Sequence, residues 1–133
     1  MKSDNGFDII LEGHPAFTDE KLAVVFAEAF RVSVNDVLIE HKYAQRDLDV
    51  AVRCILDELD GDFGLLAAFY TRIEINSADV IKHICRRLDC RCLSDDGDLN
   101  PYTMFLYSPD GGVVRVSLDD EDMAENRHRP DNV

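Results

Sequence analysis

Residues 18–30, Thr18-Asp-Glu-Lys-Leu-Ala-Val-Val-Phe-Ala-Glu-Ala-Phe30, carry the clearest structural signal in the chain. Apolar side chains recur in this stretch every three or four residues, at Leu22, Val25, Phe26, Ala29 and Phe30. This spacing predicts an amphipathic α-helix with one apolar face. Thr18 is a suitable N-cap, and the acidic residues that follow it, Asp19 and Glu20, suit the positive end of a helix dipole. The helix therefore needs an apolar layer to pack against.

Stretches that precede and follow this helix in the sequence predict that layer, because apolar and polar residues alternate in them or β-branched residues are frequent. They are typical of strands, at 7–12, 36–42, 50–57, 63–75, 90–93, 102–107 and 113–118. The fourth stretch is interpreted as one strand, although Leu65-Leu66-Ala67-Ala68 is also compatible with a helix. The last two stretches are joined by Ser108-Pro-Asp-Gly-Gly112, a turn sequence, and predict a hairpin.

Ser77 is predicted to cap a second helix, which has an apolar stripe at Ile81, Ile84, Cys85 and Leu88. The element order is then β-α-β-β-β-α-β-β-β. We expect an α+β fold: a mainly antiparallel sheet of about six or seven strands with two helices packed on one face. The two halves of this order give a weak hint of a repeat, but few of their residues are identical, and coincidental alternation of helices and strands is the favoured explanation.

Length and charge limit the possible classes of protein. The chain has 133 residues, which predicts one globular domain over 1–118 and a polar, acidic tail over 119–133. Its 27 acidic and 14 basic residues give a net charge of −13. Binding to nucleic acids or to anionic membranes is therefore disfavoured, and a basic protein partner is favoured. The alternative is that the acidity serves solubility alone.

The N-terminal sequence lacks the apolar stretch of a secretory signal, so we expect a cytoplasmic protein with reduced cysteines. Cys54 and Cys85 are interpreted as small core residues. Cys90-Arg91-Cys92, with His83 nearby, suggests zinc, but most zinc-binding pairs have two intervening residues. We further expect the thiols of Cys90 and Cys92 to point to opposite faces of a strand. No metal site is predicted.

Motifs for catalysis and cofactor binding are not found in the sequence. The glycine-rich phosphate-binding motifs G-x-x-x-x-G-K and G-x-G-x-x-G do not occur. The histidines fall on different predicted elements, at His14, His41, His83 and His128. The acidic turns do not fit the ligand positions of a calcium-binding EF-hand in either register. We predict that the protein is not an enzyme and binds no cofactor.

Carboxylates cluster in the turn 57–62, the loop 95–98 and the run 119–122. We expect them to converge into a negative rim around an exposed aromatic residue, one of Tyr43, Phe63, Tyr102 and Tyr107. Such a patch suits a basic protein partner, because aromatic anchors supply affinity and charge supplies steering. The alternative is three unrelated solvated turns. The predicted partner-binding residues are Asp57, Glu58, Asp60, Asp62, Phe63, Asp95, Asp96, Asp98 and Tyr102.

In size, acidity and lack of catalytic motifs, the chain resembles the immunity proteins of contact-dependent growth inhibition and other bacterial polymorphic-toxin systems. The resemblance is one of general character and carries no signature motif. It implies a cytoplasmic protein that neutralises a cognate, basic, nuclease-type toxin domain by covering its active site. The sequence leaves open whether the protein is a monomer or a homodimer.

Two alternatives stay open. The chain is also similar in bulk properties to the acidic, homodimeric type III secretion chaperones, which bind an effector protein. Those chaperones open with a helix, whereas this sequence opens with a strand. The second alternative is a small hydrolase that uses His41, His83 and the acidic turns.

Overall fold

The computed structural model describes four stretches of the chain: residues 5–12, 17–42, 49–95 and 103–117. The predicted first helix is present as α1, Asp19–Phe30. Thr18 caps it as expected, because its hydroxyl accepts a hydrogen bond of 3.2 Å from the backbone N–H of Lys21. The helix ends at Arg31, whose left-handed backbone (φ 60°) turns the chain toward the sheet.

The second helix, α2, spans Ser77–Leu88. The predicted cap at Ser77 is wrong by one residue, since the Asn76 side chain accepts the hydrogen bond from the backbone N–H of Asp79 at 3.2 Å. Both residue types are good caps, and Asn76 has the extended backbone that the position requires. Within the described ranges, neither helix has the length and apolar character needed to cross a membrane.

The sheet contains seven strands in the order β2-β3-β4-β1-β5-β6-β7. Their bounds are β1 Asn5–Leu11, β2 Val37–Glu40, β3 Val52–Glu58, β4 Leu65–Thr71, β5 Cys92–Asp95, β6 Thr103–Tyr107 and β7 Val113–Ser117. Only the edge pair β2–β3 is parallel, and the other described pairs are antiparallel. The predicted element order and the α+β fold are confirmed.

The ambiguous stretch 63–75 contains one strand, β4, and no helix. β4 pairs along its whole length with β1 on one side and with β3 on the other. Hydrogen bonds to these two neighbouring strands satisfy the backbone N–H and C=O groups of β4. This pairing outweighs the helical propensity of Leu65-Leu66-Ala67-Ala68. The hint of a repeat does not extend to strand pairing, because β2–β3 is parallel and β5–β6 is antiparallel.

The main core lies between the two helices and one face of the sheet. At its centre, the rings of Phe26 on α1 and Phe69 on β4 meet edge to face, with centroids 4.9 Å apart. A smaller second core lies on the other face and consists of Ile10, Phe63, Leu93, Leu106 and Val116. We call this second side, which carries no helix in the described part of the chain, the open face.

Candidate functional site

Three carboxylates from three strands lie on the open face. Asp57 on β3 is opposite Leu66 on β4, and Leu66 is opposite Ile10 on β1. The side chains of Asp57, Leu66 and Ile10 therefore form one row across the sheet. Asp8 lies two residues before Ile10 and therefore on the same face. Asp95 follows Ser94, which pairs with Ile9, so Asp95 falls beside Asp8.

These carboxylates border a groove of about 750 Å³. Apolar side chains contribute to its lining, namely Ile10, Leu59, Leu66 and Met104. Tyr70 also lines it and is 40% exposed. We call the groove bordered by Asp8, Asp57 and Asp95 the acidic groove. Its combination of an apolar lining, one exposed aromatic ring and peripheral charge is typical of a protein-binding surface.

One carboxylate of the acidic groove, Asp8, is partly desolvated. Burial raises the pKa of the Asp8 carboxyl above its ordinary value. A cation bound in the groove would favour the charged form of Asp8 and so offset part of the free-energy cost of burying its charge. Arg53, the cation that β3 places on the same face, is already paired with Glu40 at 2.5 Å. The groove is therefore suited to a positively charged partner group.

The structure brings together two of the predicted site residues, Asp57 and Asp95, which both line the acidic groove. Glu58 ends β3, while Asp60 and Asp62 lie in the connection to β4, and all three are exposed. Three predicted site residues lie outside the described residues: Asp96, Asp98 and Tyr102. Tyr43 and the tail 119–133 also lie outside them.

Phe63 is not the exposed aromatic residue that the sequence analysis predicted. It is 0% exposed, because the β3–β4 connection folds over the open face and inserts the ring into the second core. The guanidinium carbon of Arg91 covers the ring at 5.4 Å from its centroid. Hydrogen bonding to Glu12, with a smaller contribution from Asp62, raises the pKa of Arg91. Phe63 is thus a core residue, and Tyr107, at 6% exposure, is buried as well.

His41 is paired with Asp19, with its Nε2 atom 2.8 Å from Oδ2 of the carboxylate. Both residues line a separate cavity at the N-terminal end of α1. Among the described residues that line this cavity there is no serine, threonine or cysteine. His83, the other histidine considered for catalysis, contacts Glu28 on α1 at 3.2 Å. The two histidines therefore contact different carboxylates and do not share a cavity among the described residues.

All four cysteines are buried. Burial raises the pKa of the Cys92 thiol, and the neighbouring Cys85 and Cys90 add to this shift. The prediction that Cys90 and Cys92 point to opposite faces is wrong, because side chains two residues apart on an extended chain share a face. No group of histidines, cysteines and carboxylates within the described ranges is arranged to hold a metal ion.

Sequence reasoning missed Asp8, Tyr70 and Met104 as residues of the acidic groove. Asp8 interrupts the apolar run Phe7-Asp8-Ile9-Ile10-Leu11, which was a usable signal that this side of β1 is accessible. Tyr70 and Met104 had no such signal, since their exposure depends on which face of the sheet the helices cover.

No family model matches the chain, and comparisons with curated proteins and with solved structures give no significant match. The geometry of the acidic groove and its electrostatics are the basis of the functional argument.

Proposed function

We propose that this chain is an immunity protein, which binds a basic, nuclease-type toxin domain in the cytoplasm and blocks its active site. The observation that carries the proposal is the convergence of Asp8, Asp57 and Asp95 on one groove with an apolar lining. These residues come from β1, β3 and β5, so the arrangement depends on the folded sheet. The proposed contact surface is the acidic groove.

Binding of a basic domain would combine long-range electrostatic steering with local affinity. A net charge of −13 attracts a basic domain over a distance of about one Debye length, roughly 8 to 10 Å. At contact, the groove carboxylates pair with the lysines and arginines that a nuclease uses for phosphate groups. Apolar lining residues and Tyr70 then supply the desolvated contact area that charge alone does not provide.

The first experiment is affinity capture of the tagged full chain from its native host, with mass spectrometry of the bound proteins. Asp57→Lys and Asp95→Lys each reverse one groove charge at an exposed strand end. Asp36→Lys is the matched control: it makes the same change in net charge at an exposed residue that does not line the groove. Each variant is captured in parallel with the wild type.

The proposal expects one stoichiometric basic partner with toxic activity that the wild type inhibits at equal concentration. Asp57→Lys and Asp95→Lys should each slow association by about tenfold or more at low salt and weaken the salt dependence of the association rate. Asp36→Lys should have a smaller effect on both the rate and its salt dependence. A homodimer carrying an unfolded effector would instead support the secretion chaperone. Equal effects of all three substitutions, or no partner, would contradict the acidic groove as the binding site.

A further inference from the structure

A second cavity adjoins the acidic groove at the N-terminal end of α1. It has a volume of about 370 Å³, and Asp57 lines both it and the groove. We call it the side pocket. Its apolar lining consists of Phe17, Leu22, Leu56, Leu59 and Leu65. Leu22 and Leu56 are 1% and 2% exposed, so their side chains are held in place by the main core.

Polar groups also line the side pocket. Three exposed carboxylates contribute, from Asp19 at the start of α1 and from Asp57 and Glu58 at the end of β3. His41 is oriented by its 2.8 Å contact with Asp19. Lys21 places its ammonium group 5.9 Å from the centroid of the Phe17 ring, so this wall already accommodates one cation. The net charge of the lining is negative whether His41 is neutral or protonated.

We propose that the side pocket receives an arginine side chain of the protein partner. An arginine has an apolar stem that packs on leucine side chains and a charged head that stays near water and carboxylates. Its planar guanidinium also pairs with carboxylates through two parallel hydrogen bonds, which an ammonium group does not form. The inference rests on the proposed function, and it assigns an anchor point at one end of the binding surface.

The test uses the isolated full chain and a small probe, n-butylguanidinium, followed by NMR of the backbone amides. n-Butylurea is the matched neutral probe, because it has a similar shape and the same stem but no charge. Asp19→Asn and Glu58→Gln each remove one lining charge. Glu20→Gln is the control variant, since it removes a charge from the same helical turn at an exposed residue that does not line the pocket.

We expect n-butylguanidinium to bind with a dissociation constant on the order of millimolar. The shifted amides should be those of pocket residues, including Leu22, Leu56, Glu58, Gly64 and Leu65. n-Butylurea should bind at least about tenfold more weakly. Asp19→Asn and Glu58→Gln should each lower the affinity for n-butylguanidinium by about threefold to fivefold, and Glu20→Gln should lower it by less than about 1.5-fold.

Shifts spread evenly over the acidic surface, or equal binding of the charged and neutral probes, would overturn the inference. So would an unchanged affinity in both pocket variants. If a partner is captured but the probe does not bind, the side-pocket assignment fails and the proposed function stands. If the probe binds with the expected selectivity and no toxin partner is captured, the proposed function fails while the pocket's preference for guanidinium groups is established.

Discussion

Replacement of Phe63 by alanine separates a structural role from a binding role for this aromatic residue. Phe63 is 0% exposed and packs in the second core with Ile10, Leu93, Leu106 and Val116. Phenylalanine-to-alanine changes in protein cores cost about 3 to 5 kcal/mol. Because the second core is small and the β3–β4 connection can partly close the cavity, we expect the lower end, about 3 kcal/mol. That is a large part of the roughly 5 to 15 kcal/mol by which domains are stable.

The assay is equilibrium urea unfolding of the reduced protein. With a denaturant slope of about 1.5 to 2 kcal/mol/M, the midpoint should fall by about 1.5 to 2 M at unchanged slope. Phe63→Leu keeps most of the apolar volume and should cost about 1.5 kcal/mol or less. Tyr70→Ala, at a residue that is 40% exposed, should cost less than Phe63→Ala. A loss below about 1 kcal/mol for Phe63→Ala, accompanied by loss of partner binding, would refute the reasoning and restore Phe63 as a binding residue.

Two further predictions concern buried or partly buried ionisable groups. Asp8→Asn should increase the free energy of unfolding at pH 7 by a few tenths of a kcal/mol, because it removes a partly desolvated charge. Since the folded pKa of Asp8 is raised, its unfavourable contribution is fully present above that pKa and is absent below the ordinary value of 3.8. Urea titrations at several pH values should show the two proteins converging in acid, and a less stable variant at pH 7 would contradict this account. The four buried cysteines should react slowly with a water-soluble disulfide reagent at pH 8 in the native state and rapidly after unfolding in guanidinium. Rapid reaction in the native state would contradict this prediction, because it would show that the cysteines become exposed to solvent without global unfolding.

The local features of the fold were predictable from the sequence. The three-to-four-residue spacing of Leu22, Val25, Phe26 and Phe30 predicts α1, and these side chains are buried in the structure. Thr18 was identified as a cap because capping depends on a residue and the backbone only three positions away. The element order followed from the same short-range patterns. The bounds of several strands, the cap of α2 and the relative orientation of Cys90 and Cys92 differed from the predictions.

The candidate site was predictable only in part. Asp57 and Asp95 were chosen from turn composition, yet they belong to strands separated in the sheet by β4 and β1. Their common face follows from the registers of three strand pairs. Register depends on contacts between residues far apart in the chain, and a shift of one residue would move each side chain to the opposite face.

The net charge, the two amphipathic helices and the alternation of the strands follow from composition and from neighbours within a few residues. The meeting of Asp8, Asp57 and Asp95 in one groove, the burial of Phe63 and the exposure of Tyr70 depend instead on long-range packing. Both helices pack on the same side of the sheet. That packing determines which face of the sheet is covered and which face stays exposed.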